Sequence, residues 1–304
     1  MSVWFHAFTQ HQAPMPGGVL NWREGGPPDA PVLVLLHGFP QTHAMWHRVA
    51  QQLVGRYRLF LPDLPGYGDS RLHAATAAST HPSSKRAMAQ AVVNLLAARG
   101  VKEFHLCGHD RGARVARRLT LDHPQRVLSL TVIDIAPTLD MYEGHSLKAH
   151  YMAFARAYYH WFHLIQPHPL PEQHIASDPI AYLHTKLGGW GTQGLAHLET
   201  WALAEYERCW RAPEVVHAAC EDYRASAGID LEHDRQSRAE CQRIACPLQV
   251  MWGEQGVVHR LFDAPALWRA QASGPMTERL MPAGHYIPEE LPADTADALR
   301  GFIG

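Results

Sequence analysis

The sequence is poor in paired cysteines. It has five in 304 residues, an odd number, and none of them forms a Cys-x-x-Cys pair. That excludes a complete disulfide framework and offers no zinc ribbon or dithiol redox site, so reduced thiols in a cytoplasmic protein are the expectation. Net charge is nearly absent too: 27 Lys and Arg stand against 29 Asp and Glu, leaving no field to attract nucleic acid or an anionic membrane. The longest apolar run, "VLVLLHG", falls far short of the roughly 20 residues that cross a bilayer. "MSVWFHAFTQ" has no basic stretch ahead of an apolar one, so no signal peptide and no membrane partner are expected. No metal-ligating histidine pair stands out on a helix, although the chain has 22 histidines. Neither a metal nor a cofactor is expected.

What is present is an alternation of strand and helix signals. "PVLVLLHG" is a continuous apolar run, the mark of a strand covered on both faces. Helical spacing follows in "HAMWHRVAQQL", then a strand and Pro/Gly turn in "YRLFLPDLPGYGDS". "SSKRAMAQAVVNLLAARG" reads as an amphipathic helix capped by Ser83 or Ser84 and ended by Gly100. Strand "EFHLCG", helix "ARVARRLTLDHP" and strand "VLSLTVIDIAP" continue the pattern. Strands spaced by helices of this length imply an α/β fold with a mostly parallel twisted sheet. The alternation stops at about Thr138, gives way to Trp-, Tyr- and His-rich helical segments, and resumes at "CPLQVMWG". The expected organisation is an α/β core over 1–137, a helical cap inserted over 138–227 after the sixth strand, and the rest of the core over 228–304. "LHAATAAST", 72–80, is the expected mobile loop.

The stretch that carries chemistry is "CGHDRGARVARR", 107–118. Its core is Gly-x-Asp-x-Gly, the spacing of a strand-to-helix turn that lifts a nucleophile over the carboxyl end of a sheet. A serine there needs a base to take its proton; the carboxylate of Asp110 does not, and the helix N-terminus beside it favours its ionised form. A carboxylate can displace a leaving group from saturated carbon and form an ester, which an activated water must then hydrolyse. His285, in "MPAGHYIPEELP" ahead of the final helix, stands where the base follows in chain order. Asp134, in "LTVIDIAP", is the expected carboxylate behind it; Glu254, after "VMWG", is the competing position. Backbone N–H groups of Phe39, in "HGFPQ", and Arg111 are the expected oxyanion donors. Arg111 and Arg114, three apart on one helix face, suit a bidentate grip on a substrate carboxylate. Left unpaired they would blunt Asp110, so a substrate anion would restore its reactivity. Arg117 and Arg118 read as a solvated helix face.

With these residues on the page, the chain resembles the haloacetate dehalogenases of the α/β-hydrolase superfamily. The matching stretches are "LLHGFPQTHAMWHRVA", "DLPGYGDS", "KRAMAQ", "GHDRGARVARRL", "VIDIAP", "YYHWF", "CEDYRA" and "AGHYIPEE", spread over most of the chain from about residue 31 onward. The resemblance implies Asp110 as nucleophile, His285 as base, Asp134 as its partner and Arg111 with Arg114 as the carboxylate clamp. It implies that His160, Trp161 and Tyr223 donate to the leaving halide, fluoride included, where compact N–H and O–H donors suit a compact anion. It also implies a small haloacid substrate and a homodimer. Taken singly, each aromatic would more often be cap packing. The rival enzyme is an epoxide hydrolase, which shares the Asp and His and uses two tyrosines; Tyr223 would be one and Tyr158 or Tyr159 the other. A haloalkane dehalogenase for uncharged substrates fits less well, since a buried arginine pair with no anion is costly. A non-catalytic binding protein of the same fold is opposed by the joint presence of nucleophile, base and acid.

Overall fold

The computed structural model describes residues 3–73, 81–144 and 150–304. The loop expected at 72–80 lies, from residue 74 onward, outside the described residues. Nine strands form one sheet: β1 Phe8–Met15, β2 Gly18–Gly25, β3 Val32–Leu36, β4 Arg58–Pro62, β5 Arg71–Leu72, β6 Phe104–His109, β7 Val127–Ile133, β8 Leu248–Gly253 and β9 Met276–Met281. Across the sheet they run β1-β2-β4-β3-β6-β7-β8-β9, with β5 paired to β2. Every pairing from β4 to β9 is parallel, whereas β2 lies antiparallel to β1, β4 and β5. The parallel part is the α/β pattern expected, and the run Leu33–Leu36 is fully buried because helices cover both faces. The β1–β2 hairpin gave no such signal. The residues of β1, "FTQHQAPM", are mostly polar and line an edge, and Gly17 turns the chain at φ +74°.

Three helices frame the centre: α1 His47–Leu53, α2 Lys85–Ala98 and α3 Arg111–Asp122. Ser84 caps α2 by accepting the Ala87 N–H at 3.2 Å, and Gly100 leaves the helix end at φ +75°. Helix α3 is buried from Arg111 to Leu121. Arg117 and Arg118 therefore do not form a solvated face. Arg117 binds Asp234 at 2.6 Å and Gln271, and Arg118 binds Asp234 at 2.8 Å, Ser237 and Asp122. A guanidinium can be buried where a carboxylate from a distant helix meets it, and residue spacing along α3 carries no trace of that partner.

Between β7 and β8 the chain is helical. The segment follows the seventh strand rather than the sixth, the two-residue β5 being too short to carry a pattern. The long run "KAHYMAFARAYYHWFHLI" forms Tyr151–Ala157 and Tyr159–Leu164, broken at Tyr158, whose φ of −102° and ψ of 26° depart from helix. Leu170–Ala176, Pro179–Gly188, Thr200–Trp210, Pro213–Ser226 and Ile229–Ala239 follow.

Helix α3 crosses β3 at very short range. A Cβ on Gly112 would stand 2.4 Å from both the Leu36 and the His37 carbonyl oxygens, whereas one on Gly301, in the last helix, would meet nothing within 4 Å. Gly112→Ala is therefore expected to cost about 1–3 kcal/mol or more of stability by forcing helix and strand apart. Gly301→Ala is expected to add roughly 0.5–1 kcal/mol through lost chain entropy. Urea denaturation midpoints of the two variants check both signs.

Candidate active site

Strand β6 ends at His109 and α3 begins at Arg111, so the chain reverses within one residue. Asp110 sits at φ 47°, ψ −113°, a conformation that costs a non-glycine residue about 1–3 kcal/mol. Glycines make the turn possible. A Cβ on Gly108 would lie 2.5 Å from the Gly112 oxygen, and one on Gly38 would lie 2.7 Å from the Asp110 Cβ. The Asp110 N–H donates to Ile133 O at 3.1 Å, and the Phe39 N–H donates to Asp110 Oδ1 at 3.1 Å. The Arg111 N–H belongs to the first turn of α3, where no intrahelical acceptor is available. Burial by itself would push the Asp110 carboxyl pKa up, but His285, His109, Arg111 and Arg114 outweigh it and lower the value. Asp110 is ionised at neutral pH.

His285 lies between β9 and the short helix Ile287–Glu290. Its Nδ1 meets Asp134 Oδ2 at 2.6 Å, and the other Asp134 oxygen accepts the Gly253 N–H at 3.0 Å. Asp134 follows β7 at φ 47° and is fully buried. This pairing assigns the Nδ1 proton to the Asp134 side and leaves Nε2 as the basic nitrogen. Burial would depress the imidazolium, but the hydrogen bond to Asp134 and the charges of Asp134 and Asp110 overcome it and raise the His285 pKa. The Glu254 side chain is exposed, and its backbone N–H donates to Met281 O at 2.8 Å. Asp134, not Glu254, is the carboxylate hydrogen-bonded to His285.

A small cavity opens over these groups, lined by Phe39, Asp110, Tyr158, His160, Trp161, Lys186, Trp190, Tyr223, His285 and Tyr286. All three residues tied by resemblance to the halide are in its wall. The His160 ring stacks on Phe39 with centroids 5.9 Å apart, and its Nδ1 is buried without a partner among the described residues. Burial, with Lys186 and Arg111 nearby, holds His160 well below the ordinary imidazole range, so it is neutral. Tyr158 also lines the cavity, with its hydroxyl buried and unpartnered among the described residues. Tyr159 does not line it; its ring is 43% exposed and lies 3.6 Å under the Lys186 Nζ. Lys186 and Trp190 carry no signal in the sequence, being one lysine and one tryptophan on or near an ordinary helix. Burial pushes the Lys186 ammonium down to about 7.

The arginines are placed differently from the sequence expectation. Neither is part of the cavity wall. The Arg111 Cζ lies 4.1 Å from the Tyr223 ring centroid and the Arg114 Cζ 5.1 Å from that of Trp161, so each guanidinium sits behind an aromatic wall. Nor are both unpaired. Arg111 Nε and Nη2 hold the Asp222 carboxylate at 3.0 and 2.6 Å, and Nη2 also donates to the Asp222 carbonyl oxygen at 2.8 Å. Asp222 in turn accepts from Lys85 and from Tyr67 OH at 2.7 Å. Arg114 has only neutral partners, Thr138 Oγ1 at 2.6 Å and Met141 Sδ at 3.1 Å. Arg111 Nη1 and Arg114 Nε remain buried without partners among the described residues. Asp222 stands in "CEDYRA" beside Tyr223, but a single acidic residue on a helix gave no reason to join it to α3, 111 positions away.

One group of described residues could hold a metal ion: His168, Glu172 and His217, whose ligand atoms lie within 4.8 Å of one another. None of them lines the cavity over Asp110. Arg224 holds both oxygens of Glu172, at 2.7 and 3.1 Å, and a cation there would compete with that guanidinium.

The model of the alpha/beta hydrolase fold matches residues 31–292. A fluoroacetate dehalogenase from Burkholderia sp is 39% identical over 300 residues, covering 98% of this chain and 95% of that protein. A soluble epoxide hydrolase from Corynebacterium sp. (strain C12) is 28% identical, covering 97% of each chain. A solved structure of a proposed alpha/beta hydrolase from Nostoc sp PCC 7120 superposes with a TM-score of 0.89 at 44% identity, over 97% of this chain and 98% of that one.

Removing one member of a buried ion cluster leaves its partners charged and unpaired. Asp222→Ala is accordingly expected to destabilise the protein by about 3–5 kcal/mol, while Glu214→Ala on the exposed start of the same helix costs roughly 0.5 kcal/mol or less. Denaturant titration of both variants measures the difference.

Proposed function

This chain belongs to the alpha/beta hydrolase superfamily and is a hydrolase, and from that premise we propose that it is a haloacetate dehalogenase, converting fluoroacetate or chloroacetate to glycolate and halide. One observation carries the reading: Arg111 Nη1 and Arg114 Nε, buried donors without a partner among the described residues, lie on the first turns of the helix that opens at an ionised aspartate, behind the Tyr223 and Trp161 rings of the cavity wall. A carboxylate one carbon away from the reacting centre would satisfy both donors. The 39% identity to a fluoroacetate dehalogenase supports the same substrate class.

In this scheme Asp110 Oδ attacks the α-carbon, the carbon–halogen bond breaks, and the halide leaves with its electron pair toward His160, Trp161 and Tyr223. His285 Nε2 then takes a proton from water as the hydroxyl adds to the ester carbonyl carbon of Asp110. The N–H groups of Phe39 and Arg111 hold the oxyanion. Collapse expels the glycolate alkoxide, which recovers the proton, and Asp110 is regenerated. Haloacetate and water give glycolate, halide and one proton. Arg111 is paired with Asp222 whereas Arg114 has no acidic partner among the described residues, so Arg114 is the cation whose charge the substrate must balance before Asp110 is fully reactive. No metal or cofactor enters these steps.

We further propose a cytoplasmic homodimer. Five large apolar side chains stand exposed on the inserted segment: Tyr151, Met152, Tyr159, Phe162 and Leu170. Exposed apolar side chains concentrated on one segment suit a second copy of the chain. A second enzymatic reading has its own support: Tyr158 and Tyr223 both line the cavity, the tyrosine pair that epoxide hydrolysis would use. The charged donors behind the wall favour the haloacid.

A side-by-side assay with fluoroacetate, chloroacetate and a neutral epoxide is expected to give halide from the acids and no diol from the epoxide; the reverse result replaces the first reading with the second. His285→Asn is expected to stop after one halide per site and to carry an ester on Asp110 detectable by mass spectrometry. The uncharged amide analogue of the substrate is expected to lose turnover rate as well as binding. Because His285 must be neutral to accept a proton and its pKa is raised above 6.5, ester hydrolysis should fall as pH drops through a value above 6.5. Asp134→Asn, which removes the cause of that rise, should move the midpoint of the pH–rate curve downward.

A further inference from the structure

Two loops from distant parts of the chain meet beside His285. One, residues 284–290, carries the histidine. The other, residues 186–197, belongs to the inserted segment. The His285 N–H donates to Trp190 O at 3.0 Å. Tyr286 OH donates to Lys186 O at 3.1 Å, and the Tyr286 ring stacks on His197 at 5.2 Å with 13° between planes. Gly284 makes the approach possible, since a Cβ there would lie 2.7 Å from the Trp190 oxygen.

The Glu290 carboxylate joins both sides. Its Oε2 accepts the Gly284 N–H at 3.0 Å, the Thr192 N–H at 3.2 Å and the Thr192 hydroxyl at 2.6 Å. Its Oε1 accepts the Tyr286 N–H at 3.0 Å. One side chain thus grips the backbone immediately before and after His285 and ties it to a segment whose Trp190 ring packs edge-on against the imidazole, with centroids 4.9 Å apart.

We propose that Glu290 is a positioning residue for the base: it latches the His285 loop to residues 190–192, so that ester hydrolysis depends on it and halide displacement does not. The physical reason is how the ring is held. Asp134 gives the imidazole one hydrogen bond, at Nδ1, and its remaining contacts are the packed rings of His109, Trp190 and Tyr286, two of which belong to the segments that Glu290 joins. The backbone on either side must be fixed before Nε2 points steadily at a water over Asp110. Displacement needs the Asp110 carboxylate, the halide donors and the arginines, and none of these is hydrogen-bonded to Glu290. Trp190, two residues before Thr192, also lines the cavity.

The inference rests on the reading of His285 as general base, and one experiment tells the two apart. Full-length wild type, Glu290→Ala, Glu290→Gln and Thr192→Val are mixed with chloroacetate, and the first-turnover halide burst, the steady-state rate and the ester on Asp110 are measured. Glu290→Ala is expected to keep the burst rate within about twofold while steady-state turnover falls roughly tenfold or more and the ester accumulates. Glu290→Gln, which retains one acceptor oxygen, should be partly rescued. Thr192→Val, which loses only the hydroxyl contact, should shift the same ratio by about two- to fivefold and serves if the alanine variant does not fold. Burst and steady state falling by one common factor, or a folded Thr192→Val with unchanged partitioning, overturns the latch. Wild type that releases no halide overturns the functional reading, and the latch with it.

Discussion

The site depends on keeping one carboxylate ionised inside a helix–sheet junction. Asp110 is brought there by a backbone turn that only flanking glycines allow, and burial by itself would push its carboxyl pKa up. What prevents this is a set of nearby imidazoles and guanidiniums together with the N-terminus of α3. The cost of burying those cations is met elsewhere. Asp222 takes Arg111 and Lys85, Asp234 takes Arg117 and Arg118, and among the described residues Arg114 has only neutral partners.

That distribution has a chemical consequence. A pair of free arginines would attract many anions and would withdraw charge strongly from the aspartate. Pinning Arg111 with three hydrogen bonds to Asp222 fixes its geometry and leaves a single Nη1 donor for a ligand. In the proposed reading a small carboxylate must reach both donors past the Tyr223 and Trp161 rings.

The inserted helices do more than cover the sheet. They supply four of the cavity's aromatic walls, Tyr158, Trp161, Trp190 and Tyr223, and they hold the base loop through Trp190 and Thr192. Fully buried Glu289 adds another tie: it bonds Tyr206 OH at 2.9 Å and also Gln41, close to the Phe39 N–H. Burial pushes its carboxyl up to about 8, so it serves there as a neutral hydrogen-bonding group at neutral pH. The Phe39 loop and the His285 loop are thus each in contact with the insertion, and Asp110 faces the cavity that it walls.

The sequence by itself determined the parallel α/β layout, because buried strands and amphipathic helices write their periods locally. It also singled out Asp110, His285 and Asp134, because a tight turn needs glycines at fixed offsets and the chain order of the three is legible. The resemblance carried by "YYHWF" and "CEDYRA" implied His160, Trp161 and Tyr223 as halide donors, and the structure places all three in the cavity wall. The tertiary structure decided the rest. The hairpin β1–β2 was silent since an edge strand can be polar, and β5 is too short to show a pattern. The burial and pairing of Arg117 and Arg118, the Asp222 partner of Arg111, the entry of Lys186 and Trp190 into the cavity and the grip of Glu290 on Thr192 all join residues far apart in the chain. Such contacts are set by which helix packs on which strand, and that information is absent from the spacing of residues along any one element.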